Sequence, residues 1–194
     1  MSKILKVKAR QVFDSRGNPT VEAEVYTNNF SASSICPSGA STGTHEAFEK
    51  RDKNNKKYLG KSVLKAVELV NSKISKKLKG QNVHNQERID ALLINLDGTR
   101  QKTNLGANAM LAVSMAVKKL SAKVKKLPLY KTFFLKNNFQ LPYPLMNIIN
   151  GGAHANNGLR IQEFMIRPDR AKSFSEAMRI SFVVINNLSK LIKD

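Results

Sequence analysis

The alternating segment from Thr20 to Thr27 constrains the fold of this chain more than any other feature. Apolar and polar residues alternate along it, with Val21, Ala23 and Val25 on one side and Glu22, Glu24 and Tyr26 on the other. A period of two is typical of a strand with one buried and one solvated face, which favours an antiparallel sheet.

Two further apolar stretches flank this strand at short distances. Residues 4–13 alternate loosely and end at a dense turn signal, Asp14-Ser15-Arg16-Gly17-Asn18-Pro19. Residues 30–36 follow the turn at Asn28-Asn29. Three strands with short links predict an antiparallel meander.

After residue 61 the apolar period becomes helical. The apolar positions predict helices at 62–74, 86–96 and 106–124, with a short one that begins at Pro128. Ser62 is the predicted cap of the first helix. The third is rich in alanine, so we expect it to be the buried central helix, with Met110 and Met115 as core fillers rather than metal ligands.

A junction marked by Pro142 and Pro144 precedes a different pattern. Strands are predicted at 145–149 and 164–166, joined by a glycine-rich loop. Ser173-Phe174-Ser175-Glu176 then reads as a capping box that opens a helix running almost to residue 194. Strand, loop, strand and helix therefore follow the helices of the first part.

The glycine-rich loop carries the first candidate site. Asn150, Gly151 and Gly152 end the strand, His154 lies on the loop, and Gln162 and Glu163 stand where the next strand begins. An imidazole beside an amide and a carboxylate suits a small anionic substrate. The same residues also fit a surface histidine and a solvated strand end, and the pattern alone leaves both interpretations open.

The loop Pro37-Ser38-Gly39-Ala40-Ser41-Thr42-Gly43 is the second candidate. Its small residues can bring backbone and hydroxyl oxygens close to a ligand or a cation. It lacks the Lys-Ser/Thr ending of a Walker loop, and the chain has no G-x-G-x-x-G segment. A flexible surface loop without a ligand is the alternative.

Composition narrows the remaining classes of function. A single cysteine, Cys36, fits a reducing compartment, and no signal peptide or membrane span is expected. The net charge of +19 raises the possibility of a nucleic-acid partner. Lysine spreads over the whole sequence without a recognition module, so compositional bias explains the charge better and no nucleic acid is expected.

Seven segments, taken in order, resemble the enolase family. They are Ser15–Glu22 (SRGNPTVE), Pro37–Gly43 (PSGASTG), Leu96–Thr99 (LDGT), Leu105–Ala109 (LGANA), Pro128–Tyr130 (PLY), Asn147–His154 (NIINGGAH) and Gln162–Met165 (QEFM). The resemblance implies an α+β N-terminal domain at 1–135, with the three-stranded meander followed by helices. It also implies the first elements of a β/α (TIM-like) barrel, incomplete, at 141–194.

This resemblance further implies a Mg²⁺-dependent lyase of glycolysis, which removes water from 2-phosphoglycerate to give phosphoenolpyruvate. Ser41 would give its hydroxyl and carbonyl oxygens to the second Mg²⁺ and, on a loop that closes over the site, would also contact the substrate. His154 would lie beside the phosphate, Gln162 would contact substrate, and Glu163 would support the acid side of the elimination as a catalytic residue with His154. A homodimer, with Arg16 and Glu22 as structural or dimer contacts, and a cytoplasmic location, with cell-surface presence possible, are implied as well.

The chain departs from the family pattern in its length. The region from Leu141 onward has 54 residues (194 − 141 + 1), whereas an eightfold barrel takes about 250. The family's lysine base, its acid in a Gly-Asp-Glu-Gly-Gly segment and its three metal carboxylates are absent from these residues. We therefore expect the chain alone to lack dehydratase activity, either as part of a longer enzyme or as a non-catalytic remnant. Arg160, close to the implied site, is a smaller departure.

Overall fold

The structure is a computed structural model that describes residues 2–39, 41–133 and 139–193. The chain separates into two compact units, Met1–Leu135 and Lys136–Asp194. Each unit is described by itself.

A three-stranded antiparallel sheet forms one side of the first unit. Its strands are β1 (Lys6–Phe13), β2 (Pro19–Tyr26) and β3 (Ser31–Cys36), in the order β1-β2-β3. The register pairs Val25 with Val7 on one side and with Ala32 on the other. Val21, Ala23 and Val25 are completely buried, so the alternation that predicted β2 also identified its buried face. The predicted meander is confirmed.

Helices follow the sheet in the chain, and most of them pack against its strands. They are α1 (Leu64–Leu69), a π turn (Val70–Ile74), α2 (Ser75–Leu78), α3 (Gln86–Asp97) and α4 (Ala107–Val124), with 3₁₀ turns at Tyr58–Gly60 and Leu129–Thr132. Small side chains let α4 lie close against β2 and β3. Its completely buried positions include Ala109, Ala112, Val113, Ala116, Val117 and Leu120. The predicted central helix is therefore confirmed.

The prediction for the methionines of α4 is half right. Met110 is 8% exposed and packs in the core, but Met115 is 36% exposed. The two residues lie five positions apart, about 500° around a helix with 3.6 residues per turn, so they point in directions some 140° apart. Met115 lies on the same side of α4 as Leu111, which is 51% exposed, and this side faces solvent.

The prediction that Ser62 caps the first helix is wrong. The Ser62 hydroxyl donates instead to Oε1 of Gln11 on β1, at 2.8 Å. The first N–H groups of α1, those of Leu64 and Lys65, donate to the Asp52 carboxylate at 3.0 and 2.9 Å. A carboxylate that is distant in sequence thus does what a cap does: it accepts from N–H groups without an intrahelical partner.

Strand β3 is an edge strand in the part of the chain that the structure describes. The N–H of Thr27 donates to the carbonyl of Phe30 at 2.8 Å, so the backbone groups of Phe30 point toward β2. Because the direction alternates along an antiparallel strand, the carbonyls of Ser31 and Ser33 point to the outer edge. Unpaired edge groups of this kind can pair with another chain.

Two lysines of α4 occupy this outer edge. Lys123 Nζ donates to the Ser31 carbonyl at 3.0 Å, and Lys119 Nζ donates to the Ser33 carbonyl at 3.3 Å. The lysines satisfy the two carbonyls and place positive charge along the edge, which opposes pairing with a second copy. Part of the large positive charge therefore has a structural role.

We expect the double variant Lys119→Ala, Lys123→Ala to self-associate more readily than the wild type, because the free edge of β3 is then open. Light scattering and size-exclusion chromatography at matched protein concentration would measure this. The control variant Lys125→Ala, Lys126→Ala removes the same charge beyond the end of α4. Equal association of the two variants would show that net charge, and not the edge contact, is responsible.

The second unit consists of a β-hairpin and a long helix. Strands β4 (Met146–Asn150) and β5 (Glu163–Ile166) pair antiparallel, with Met146 opposite Ile166 and an irregularity between Asn147 and Ile149. Helix α5 (Phe174–Lys193) follows.

The capping box at the start of α5 is present in a modified form. Ser173 Oγ accepts from the N–H of Glu176 at 3.1 Å, whereas the Glu176 carboxylate accepts from Lys172 and not from Ser173. Several apolar side chains of α5 are exposed within this unit, among them Phe182 and Leu191. No helix in the described ranges is long and apolar enough to span a membrane.

Candidate active site

The loop between β4 and β5 begins at a glycine that no other residue could replace without movement. Gly151 is buried, and its backbone is extended. A Cβ added there would clash with the carbonyl oxygen of Ile161 and lie 2.6 Å from Cβ of Leu159. Gly151 is therefore required by the close approach of the two ends of the loop.

Backbone hydrogen bonds close the loop on itself. The N–H of Gly151 donates to the Gln162 carbonyl at 2.9 Å, and the N–H of Gly152 donates to the Leu159 carbonyl at 2.7 Å. A 3₁₀ turn, Gly152–His154, follows, in which the N–H of His154 donates to the Gly151 carbonyl at 3.0 Å. These bonds bring His154 back toward the start of β5.

The imidazole of His154 lies between two of the other predicted site residues. Its Nδ1 is 2.8 Å from Oε1 of Glu163, and its Nε2 is 2.7 Å from Nε2 of Gln162. The His154 and Glu163 side chains are 22% and 29% exposed. The structure thus brings together three of the four residues that the sequence singled out, and it holds His154 by side-chain contacts rather than on a free loop tip.

A cavity of about 460 Å³ opens beside His154. Its other lining residues are uncharged: Gly152, Ala153, Ala155, Asn156, Gly158 and Leu159. Arg160 is exposed and is not among the lining residues. A small polar ligand placed here would meet one imidazole and otherwise uncharged residues.

Ser41, the fourth predicted residue, belongs to the first unit and is exposed. Its loop is held at its beginning by Arg16, whose guanidinium donates to the carbonyls of Ser38 and Gly39 at 2.5 and 3.1 Å. At the far end of the loop, the N–H of Gly43 donates to Oε1 of Glu46 at 2.8 Å. Ser41 is therefore exposed to solvent between two hydrogen-bonded positions of the loop, Gly39 and Gly43.

A second group of residues at this loop was missed by the sequence analysis. Nη2 of Arg51 donates to Oγ of Ser38 and to Oε1 of Glu49, each at 2.8 Å, and the Ser38 hydroxyl also donates to Glu49. Arg51 thus ties the start of the loop to the segment that follows it. No periodic pattern marks this segment, so nothing in the sequence indicated the cluster.

The described residues do not by themselves form a magnesium site. The hydroxyl and carbonyl of Ser41 are oxygen donors that Mg²⁺ accepts, but Mg²⁺ sites usually include one or two carboxylates. Within 2–39, 41–133 and 139–193 there is no group of three or more His, Cys, Asp or Glu side chains that could hold a metal ion. The cofactor implied by the resemblance therefore does not fit these residues alone.

Comparison with known proteins gives a consistent result for both units. The family model described as the enolase N-terminal domain matches residues 4–133, and the one described as the enolase C-terminal TIM barrel domain matches residues 138–194. A curated relative, the enolase of Pelagibacter ubique (strain HTCC1062), is 83% identical over 192 residues. The match covers 99% of this chain and 46% of the relative, so the chain spans about half of that protein's length. The chain belongs to the enolase family.

Proposed function

We propose that the whole protein of which these residues form a part catalyses the reversible dehydration of 2-phosphoglycerate to phosphoenolpyruvate. The observation that carries the proposal is the contact of one imidazole, His154, with both Glu163 and Gln162 beside a cavity of about 460 Å³. Residues 1–194 would contribute this side of the site and the loop that carries Ser41.

The His154–Glu163 pair is suited to proton handling during loss of water. Nδ1 of His154 lies 2.8 Å from a carboxylate oxygen of Glu163, so the two groups can share one proton. Glu163, when protonated, would hold that proton near the departing hydroxyl. His154 would hydrogen-bond to the Glu163 carboxyl group whether that group is protonated or ionised. Gln162 would orient the substrate through its amide.

Metal binding, assembly and location are parts of the same proposal. Carboxylate ligands for Mg²⁺ would come from outside residues 1–194, with Ser41 adding oxygen ligands to a second ion. A homodimer in the cytoplasm follows from the family resemblance. A non-catalytic remnant is the competing proposal, which differs in its expected activity.

We expect the purified chain to show no turnover with 2-phosphoglycerate and excess Mg²⁺, measured by the absorbance of phosphoenolpyruvate. Joining residues 1–194 to the part of the Pelagibacter ubique enolase that they do not cover should give an active enzyme. In that chimera, Glu163→Gln should lower kcat about 10²–10⁴-fold, the usual contribution of a positioned acid or base.

Asp169→Asn is the matched control in the chimera, because Asp169 is a half-exposed carboxylate of the same unit that pairs with Arg167. It should leave kcat unchanged. An inactive chimera that is folded would favour the non-catalytic remnant, and turnover by the isolated chain would contradict the proposed division of the site.

A further inference from the structure

The segment from β4 into the loop before β5 contains two Asn-Gly pairs whose surroundings differ. The pairs are Asn150-Gly151 and Asn157-Gly158, and the sequence has no others. Because glycine has no side chain, the backbone nitrogen after such an asparagine can approach its side-chain amide carbon closely. The two pairs therefore have the same local chemistry, and the fold decides how each of them reacts.

Gly151 is held in place by the fold. Its N–H donates to the Gln162 carbonyl at 2.9 Å, and the residue is buried. Asn150 lies opposite Glu163 in the ladder between β4 and β5. Attack by the Gly151 nitrogen on the Asn150 side chain would therefore require this hydrogen bond to break and the start of the loop to open.

Gly158 has no such restraint. It is exposed, a Cβ built on it would meet nothing within 4 Å, and no acceptor for its N–H lies among the residues that the structure describes. Asn157 is also exposed, and its Oδ1 accepts from the N–H of Leu159 at 3.2 Å. This contact folds the Asn157 side chain over the Gly158 peptide and polarises the amide carbonyl, which favours attack by the Gly158 nitrogen.

We propose that Asn157 is a site of spontaneous deamidation and that the fold protects Asn150. The Gly158 nitrogen loses its proton to solvent and bonds to Cγ of Asn157. The Cγ–Nδ2 bond breaks, and Nδ2 leaves as ammonia with a proton from solvent. Water then opens the succinimide ring to aspartate or to isoaspartate, in which the main chain runs through the former side chain.

Deamidation removes a hydrogen bond across the loop. Nδ2 of Asn157 donates to the Asn150 carbonyl at 2.8 Å, and a carboxylate cannot donate in its place. The neighbouring bond from the N–H of Gly152 to the Leu159 carbonyl, at 2.7 Å, then opens more often. This chemistry of the loop is independent of the proposed function.

One tryptic peptide reports on both asparagines, because residues 137–160 contain no lysine or arginine before Arg160. The chain is aged in mildly alkaline buffer and digested, and tandem mass spectrometry measures conversion at each asparagine. In the folded chain we expect conversion at Asn157 to be at least about fivefold faster than at Asn150, the factor that one hydrogen bond contributes. In guanidinium chloride, where the fold is lost, the two rates should become similar.

The effect on the loop is tested with two variants of equal charge. Asn157→Asp imitates one product, whereas Asn156→Asp adds the charge one residue earlier and keeps Nδ2 of Asn157. Hydrogen exchange at the amide of Gly152, followed by NMR, should be about fivefold faster in Asn157→Asp than in Asn156→Asp.

Equal conversion of the two asparagines in the folded chain, faster conversion at Asn150, or a difference that persists in guanidinium chloride would each overturn the assignment of Asn157. Equal exchange at Gly152 in the two variants would overturn the effect on the loop. An inactive chimera would reject the proposed dehydration and would leave both of these results unchanged.

Discussion

Replacing Gly106 with alanine is expected to lower the free energy of unfolding of the first unit by about 3–5 kcal/mol, from backbone strain and overpacking together. Gly106 precedes α4 with φ of 93° and ψ of 133°, a conformation that residues with a side chain rarely adopt. A Cβ built there would lie 2.5 Å from Cβ of Lys50 and 2.6 Å from Oδ1 of Asn108.

The clash at Gly106 is difficult to relieve by movement of its neighbours. Asn108 Oδ1 accepts from the N–H of Lys50 at 3.1 Å, and Asn108 Nδ2 donates to the Lys50 carbonyl at 3.1 Å. Any movement of Asn108 away from the new methyl group would therefore break the contact that joins α4 to the segment around Lys50. The expected loss of stability therefore has a steric part and a part from weakened hydrogen bonds.

Gly80→Ala separates the two contributions. Gly80 has a similar φ of 82°, but nothing lies within 4 Å of a Cβ built there. Its substitution should cost only about 1–2 kcal/mol, the backbone part alone. Urea denaturation of the whole chain, followed by circular dichroism, would measure both. Equal losses for the two variants would contradict the steric explanation.

The second large effect is expected at Asp97, the last residue of α3. Its side chain is 1% exposed, and its carboxylate accepts from the N–H of Leu105 at 2.7 Å, from the N–H of Thr99 at 3.0 Å and from the Thr99 hydroxyl. It organises the loop that leads into α4. Asp97→Ala leaves these donors without a partner, so we expect a loss of about 3 kcal/mol or more in the free energy of unfolding.

The effect of Asp97 should depend on pH. Burial raises the pKa of the Asp97 carboxyl, but hydrogen bonds from Thr99 and the Leu105 backbone outweigh burial and leave the pKa below its usual value. Because the folded-state pKa is the lower one, the stabilisation is complete above the unfolded pKa of about 3.9 and is lost as the pH falls through the folded value.

Denaturation of wild type, Asp97→Ala and Asp97→Asn at neutral and acidic pH would test this. Asp97→Asn keeps the shape of the side chain without its titration, so its stability should fall less steeply with acid than that of the wild type. The gap between wild type and Asp97→Ala should narrow at low pH. A gap that stays constant would mean that the carboxylate charge is not what stabilises the loop.

The sequence indicated the candidate site only in part. His154, Gln162 and Glu163 were identifiable because they flank a paired glycine and the start of a strand. Their mutual contact was not, because it depends on the closure of the loop at Gly151 by backbone bonds. The contacts of Arg51 could not be predicted from the sequence either, since its partners Ser38 and Glu49 lie in irregular segments.

The strands, the central helix and the family were predictable from the amino-acid order alone, because alternation, helical period and ordered motifs are local properties of the chain. Which polar groups hydrogen-bond to one another became evident only in the folded chain. Asp52, and not Ser62, accepts from the first N–H groups of α1. Lys119 and Lys123 donate to the outer-edge carbonyls of β3. Such pairings join residues far apart in sequence, and their geometry exists only once the chain has packed.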